Sequence, residues 1–152
     1  MKFQLRHSGV CPLLALLLLA LVLPAKSTFD VEKCRGVDLD ATEDHMMHVT
    51  DCLSKAGAKE FHDVPAEKMP CFGKCVMEKK GIIDDKGLPH KENIMKLITD
   101  NMPKAVHDDL NKRMENCLAE ETSMIDPADP SCNTYMPLGM CMHLSFLEEC
   151  EK

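Results

Sequence analysis

Apolar positions recur at helical spacing along most of this chain. From Leu39 to about Gly57, Met46, Val49 and Leu53 fall three and four residues apart, with Cys52 beside them. That spacing predicts an amphipathic helix, with Asp40 as its cap and Glu43 completing a capping box. Ala58–Met69 is polar and broken by Pro65, which predicts a short helix or a turn. Pro70–Met77 reads as a helix with proline in its first turn and Gly81 beyond its end. Asp84–Gly87 reads as a turn. His90–Asn101 places Ile94, Leu97 and Ile98 on one face and should stop before Pro103, whose ring cannot extend the ladder. Val106, Leu110, Met114 and Cys117/Leu118 then mark a further helix. Ile125–Pro130 holds two prolines and reads as a loop.

The last segment supports two periods. Met136, Leu138, Met140, Met142, Leu144 and Phe146 alternate, as a strand would. They also fill two helix faces, 136/140/144/147 and 138/142/146. Few residues here are β-branched, which favours a helix apolar on both sides, with Pro137 kinking it or marking its start. Without a convincing strand pair, the chain reads as all-α.

The first 27 residues change the arithmetic. A basic head (Lys2, Arg6), a Leu-rich run from Cys11 to Leu23 and small residues before a cut after Ser27 form the pattern of a secretory signal peptide. No later segment has the roughly 18 apolar residues of a membrane span. The expected mature domain is 28–152. Losing Lys2, Arg6 and Lys26 takes the formal net charge from −7 to −10, so phosphate backbones are repelled and nucleic acid is not an expected partner. Losing Cys11 leaves eight of nine cysteines, an even number that in a secreted chain points to disulfides rather than zinc. With no Trp, one Tyr and a methionine-rich composition, the core must be aliphatic and thioether-rich.

The eight are Cys34, Cys52, Cys71, Cys75, Cys117, Cys132, Cys141 and Cys150. Cys71 and Cys75 share one helix face, so each should reach a different neighbour. Cys132 and Cys141, nine apart, would point to opposite sides of a continuous helix.

The run Cys52-x18-Cys71-x3-Cys75-x41-Cys117-x14-Cys132-x8-Cys141 resembles the six-cysteine signature of insect odorant-binding proteins, the pheromone/general-odorant-binding family. The x3 and x8 gaps are its most specific parts, and the resemblance spans roughly Asp40 to Leu147. It implies a compact, disulfide-linked bundle of about six helices around an apolar cavity. It also implies the pairs Cys52–Cys75, Cys71–Cys132 and Cys117–Cys141. The implied activity is carriage of small hydrophobic molecules through extracellular fluid, without a cofactor, a metal or catalysis. A small hydrophobic ligand is the implied partner, with an olfactory receptor or a second copy as the protein partners the resemblance allows.

Two features depart from the signature. The Cys52–Cys71 interval is short, so the second helix should shrink to about one turn. Cys34 and Cys150 lie outside the six, near the two mature ends, and are expected to form a fourth bridge, with free or intermolecular thiols as the alternative. Such a bridge would tether the short tail after Cys141 and keep it from forming a helix that fills the cavity.

Four disulfides exceed what folding 125 residues demands. A hollow gives them a reason: an empty pocket of about 300 Å³ costs on the order of 7 kcal/mol, and each disulfide contributes roughly 2–4 kcal/mol. The apolar faces supply the candidate lining: Met46, Val49, Leu53, Phe72, Val76, Ile94, Ile98, Val106, Leu110, Met114, Met136, Met140, Leu144 and Phe146, with ordinary core as the competing reading of each. Tyr135, the one phenol, is a candidate anchor for a ligand oxygen or a capping residue.

His45, His48, His62, His90, His107 and His143 raise acid-triggered release as one candidate mechanism, against a solvated-surface reading. Gly-x-Ser-x-Gly, His-Glu-x-x-His and a phosphate-cradling glycine loop are missing, so an enzyme is not expected. His45 and His48 could share a metal only with a third ligand that the sequence does not place. Two alternatives to an odorant carrier stand: a secreted helical interaction protein with a solid core, and a carrier working outside smell.

Overall fold

The structure, a computed structural model, describes residues 33–39 and 43–152. The signal-peptide expectation and the Asp40 cap lie outside the described residues. Among those described, five α-helices carry the fold: α1 (Glu43–Ala56), α2 (Met69–Lys79), α3 (Lys91–Asn101), α4 (His107–Glu121) and α5 (Met136–Cys150).

The local reasons follow the sequence. Glu43 and Asp44 sit in the first turn of α1 and Lys55 in its last, each complementing the helix dipole. Gly57, at φ +77°, turns the chain out of α1, and the Ala58 N–H donates back to the Leu53 carbonyl. The interval expected to hold a short helix or a turn holds single 3₁₀ turns at Phe61–Asp63 and Ala66–Lys68, divided by Pro65. The helix count among the described residues is therefore five rather than six. Pro70 lies in the first turn of α2 and Pro137 in that of α5, where a missing N–H costs no ladder bond. Pro137 thus marks a start, not a kink, and the alternating 136–146 segment is helical.

One small sheet was not foreseen. β1 (Lys33–Cys34) and β2 (Val37–Asp38) pair antiparallel, with Cys34 opposite Val37. Arg35 and Gly36 turn the hairpin at φ +51° and +79°, the two positive angles that suit a two-residue loop.

All four bridges are present: Cys34–Cys150, Cys52–Cys75, Cys71–Cys132 and Cys117–Cys141. Cys132 differs from expectation in placement. It stands before α5 in the left-handed region (φ +58°), so no continuous helix joins it to Cys141. Asp129 builds that corner by accepting from the Ser131 N–H and hydroxyl and from the Thr134 N–H. These contacts, the Ser131 ones foremost, hold its carboxyl below the ordinary carboxylate range.

The apolar interior is divided into four clusters. Cys52, Leu53, Ala56, Ala58, Val64 and Phe72 form the first, between α1 and α2. Ile94, Ile98, Leu110 and Met114 form the second, with Met142 and Phe146 of α5 against them. Cys34, Val106 and Cys150 make the third, and Ile83, Cys132 and Tyr135 the fourth.

Candidate functional site

α5 is apolar on more than one side, and its sides are buried to different degrees. Leu138, Ser145, Glu149 and Cys150 are buried. Ser145 Oγ lies 3.6 Å from Cys117 Sγ, and Met142 and Phe146 pack toward α3 and α4. The other apolar face is left uncovered. Met140 is 45% exposed and Leu144 50%, with Met136 and Leu147 half-buried on the same stripe. Residues 136, 140, 144 and 147 recur at helical spacing, so they form one continuous apolar band.

The remaining candidate lining residues are spread over the clusters. Leu53 and Phe72 are buried, and Val49 and Val76 partly buried, in the first. The second takes Ile94, Ile98, Leu110 and Met114, with Phe146 at its edge. Val106 is buried beside the Cys34–Cys150 bridge. Met46, like Met47 next to it, is more than half exposed. Sequence spacing therefore finds apolar positions well, but the structure does not gather these fifteen around one point.

Tyr135 is only 1% exposed, and its hydroxyl donates to the Gly87 carbonyl at 2.9 Å. The Lys74 ammonium stands 5.0 Å from its ring centre. Next to this contact a hollow of about 360 Å³ opens, lined by Lys74, Glu78, Ile83, Asp84, Asp85, Lys86, Gly87 and Pro127. Its lining is mostly charged, so it is not the apolar cavity the resemblance implies. The Leu88 and Lys86 N–H groups donate to Asp84 and hold its carboxyl below the ordinary range.

The histidines divide by role. His90 caps α3, its Nδ1 accepting from the Asn93 N–H at 3.3 Å, and also lies 3.4 Å from Glu92. His107 Nε2 is 2.8 Å from the Met102 carbonyl, tying the α3–α4 connection. His62 is exposed between Glu60 and Asp63, and His48 and His143 are half-buried. Among the described residues, no group of three or more His, Cys, Asp or Glu could hold a metal ion. No described helix is long and apolar enough to cross a membrane.

Sequence reasoning missed the polar lock at the end of α5. Glu149 is 1% exposed, and its carboxylate meets Arg113 Nε at 2.6 Å, Lys152 Nζ at 2.6 Å and Arg35 Nη2 at 3.2 Å. Arg35 Nε also donates to the Glu149 carbonyl at 2.7 Å, and its N–H to that of Cys150. The Lys152 contact above all, then Arg113, keeps the Glu149 carboxyl below the ordinary range against the opposing effect of burial. This lock and the adjacent Cys34–Cys150 bridge fasten the hairpin to α5.

No curated protein and no solved structure matches the chain. The sequence pattern of the PBP/GOBP family matches residues 27–145, which takes in α1 to α4, most of α5 and the six signature cysteines. With that match and with Cys52–Cys75, Cys71–Cys132 and Cys117–Cys141 linked as the resemblance implied, the chain belongs to the PBP/GOBP family.

Proposed function

We propose that this protein is a secreted carrier that takes up small hydrophobic molecules, odorants or pheromones, and moves them through extracellular fluid. The observation that carries this reading is the uncovered band of α5: Met140 and Leu144 stay half-exposed while the opposite face is buried. An apolar guest covering that band would leave water with it, contributing roughly 25 cal/mol per Å². The cross-links support the reading, because a frame tied in four places can keep an apolar surface open that unlinked helices would collapse to cover. In this reading the apolar cavity is the space that Met136, Met140 and Leu144 border, and the leader 1–27 directs the chain to an oxidising compartment.

A competing reading is a secreted interaction protein whose partner, rather than a small guest, covers the same band. The polar lining of the hollow beside Tyr135 favours it. Displacement of a fluorescent apolar probe, N-phenyl-1-naphthylamine, separates the two. A carrier binds the probe at micromolar concentration and releases it to volatile alcohols, esters or aldehydes. A protein that leaves the probe's emission unchanged is not a carrier. Native mass spectrometry of the secreted protein would identify a co-purified guest and report the intact bridges in the same spectrum.

A further inference from the structure

We propose that Met140 is a modification site that regulates the carrier: a hydroperoxide converts its thioether to the sulfoxide, and the sulfoxide lowers the affinity for apolar guests. This rests on the carrier reading and adds control to the band of α5 where that reading places the guest.

Sulfur is abundant in this chain, and the fold sorts it. All eight described cysteines are engaged in bridges, so no described thiol is left to meet an oxidant. The thioethers remain. Eleven of the twelve methionines lie among the described residues. Met114 is buried and six more are partly covered. Met46, Met47, Met124 and Met140 are largely open, at 55%, 59%, 53% and 45% exposure. Oxidation follows access, so these four side chains form the reactive set.

Position separates the four. Met46 and Met47 lie near the start of α1, and Met124 closes the 3₁₀ turn Thr122–Met124. Met140 alone among them stands on the α5 band, with Leu144 one helical turn ahead and Met136 one turn behind. The helix under it is held from its other sides. Leu138 and Ser145 are buried, Met142 packs on the second cluster, and Cys141 is bridged to Cys117. The fold therefore does not rest on the Met140 side chain, and a change confined to that side chain leaves it standing.

The reaction needs only the hydroperoxide. One oxygen passes to Sδ: the O–O bond breaks, an S–O bond forms, the sulfur gives up two electrons, and the hydroperoxide leaves as water or an alcohol. The product replaces an apolar sulfur with a strong hydrogen-bond acceptor. In the empty protein, water satisfies that acceptor. Under an apolar guest the acceptor loses its water and gains no donor, so the penalty falls on the bound state. The exclusion is mutual: the sulfoxide disfavours the guest, and a seated guest shields the thioether.

The test treats the disulfide-intact protein with hydrogen peroxide and removes the excess with catalase. It then reads N-phenyl-1-naphthylamine affinity, the melting transition and, by peptide mass spectrometry, the sulfoxide at each methionine. Sulfoxide should form at Met46, Met47, Met124 and Met140 before Met114. Conversion of Met140 should weaken the probe about tenfold while cooperative melting is retained. Met140→Leu removes the sulfur and stays apolar, so its affinity, whatever its starting value, should not change on treatment. Met46→Leu, Met47→Leu and Met124→Leu combined should still show the loss. Saturating probe during the treatment should slow sulfoxide formation at Met140 and not at Met124. Full conversion of Met140 with unaltered affinity overturns the proposal, as does an equal loss in Met140→Leu or a loss that comes only with the melting transition gone. A probe that binds the untreated protein and ignores the sulfoxide removes this regulation alone. A probe that never binds the untreated protein removes the carrier reading as well.

Discussion

The hydroxyl of Tyr135 reaches the carbonyl of Gly87, 48 positions earlier in the chain, and no side chain larger than hydrogen fits at Gly87 while it does so. A Cβ there would stand 2.8 Å from the Tyr135 oxygen and 2.9 Å from the Pro127 ring, and the backbone is at φ +79°. Two segments that share no helix are joined at this point. Tyr135→Phe keeps the ring and loses one hydrogen bond, so it should cost about 1 kcal/mol in urea unfolding. Gly87→Ala adds steric overlap to an unfavourable φ and should cost more, roughly 2–3 kcal/mol. The reverse order of the two midpoints would contradict this account.

The Cys34–Cys150 bridge spans 116 residues, whereas Cys52–Cys75 spans 23. In the chain-entropy treatment, the longer loop gives the larger stabilisation, about 4–5 kcal/mol against about 3 kcal/mol. Cys34→Ser with Cys150→Ser should therefore lower the unfolding free energy more than Cys52→Ser with Cys75→Ser. Denaturant titration of the two double variants checks the order.

Glu149 should make stability depend on acidity. Its carboxyl titrates below the ordinary range in the folded chain, so the stabilisation is present above its unfolded value of about 4.3 and fades as the pH falls through the folded one. Melting temperature should thus drop steeply below about pH 4. Glu149→Gln should flatten that part of the curve and, at neutral pH, cost roughly 3 kcal/mol by leaving Arg35 without its counter-ion and Arg113 with Glu148 alone. A variant with the parental acid profile would show that another group controls it.

Met140 should separate binding from stability. It is half-exposed, so Met140→Glu should change the unfolding free energy by no more than about 0.5 kcal/mol. The same change puts a charge in the apolar band and should weaken N-phenyl-1-naphthylamine binding at least about tenfold. Unaltered probe affinity would move the guest site away from α5.

The helices were legible because each shows a 3.6-residue period and a recognisable stop, such as Gly57, Gly81 or Pro103. The hairpin was not: two-residue strands at Lys33–Cys34 and Val37–Asp38 are too short to show alternation. The nine-residue spacing of Cys132 and Cys141 says where they would point only if one helix joined them, while the placement of Cys132 depends on a corner built by the Asp129 side chain. Glu149 stands among Glu148 and Glu151 and looks like one more surface acid. Its partners Arg113 and Arg35 are 36 and 114 residues away, a separation that no local pattern encodes. The candidate lining residues were legible only as apolar positions, because periodicity marks which side of a helix is greasy and not whether a neighbour covers it. Met140 and Ile94 fit the same template, yet one is half-exposed and the other buried.

Three of the four apolar clusters contain a bridged cysteine pair of their own: Cys52 with Cys75, Cys34 with Cys150, Cys71 with Cys132. Substitutions in separate parcels of this kind combine nearly independently. Three compartments carry a rivet of their own, so a change inside one of them asks little of the others. A chain assembled this way can drift toward a new guest by altering one room at a time while the building stands.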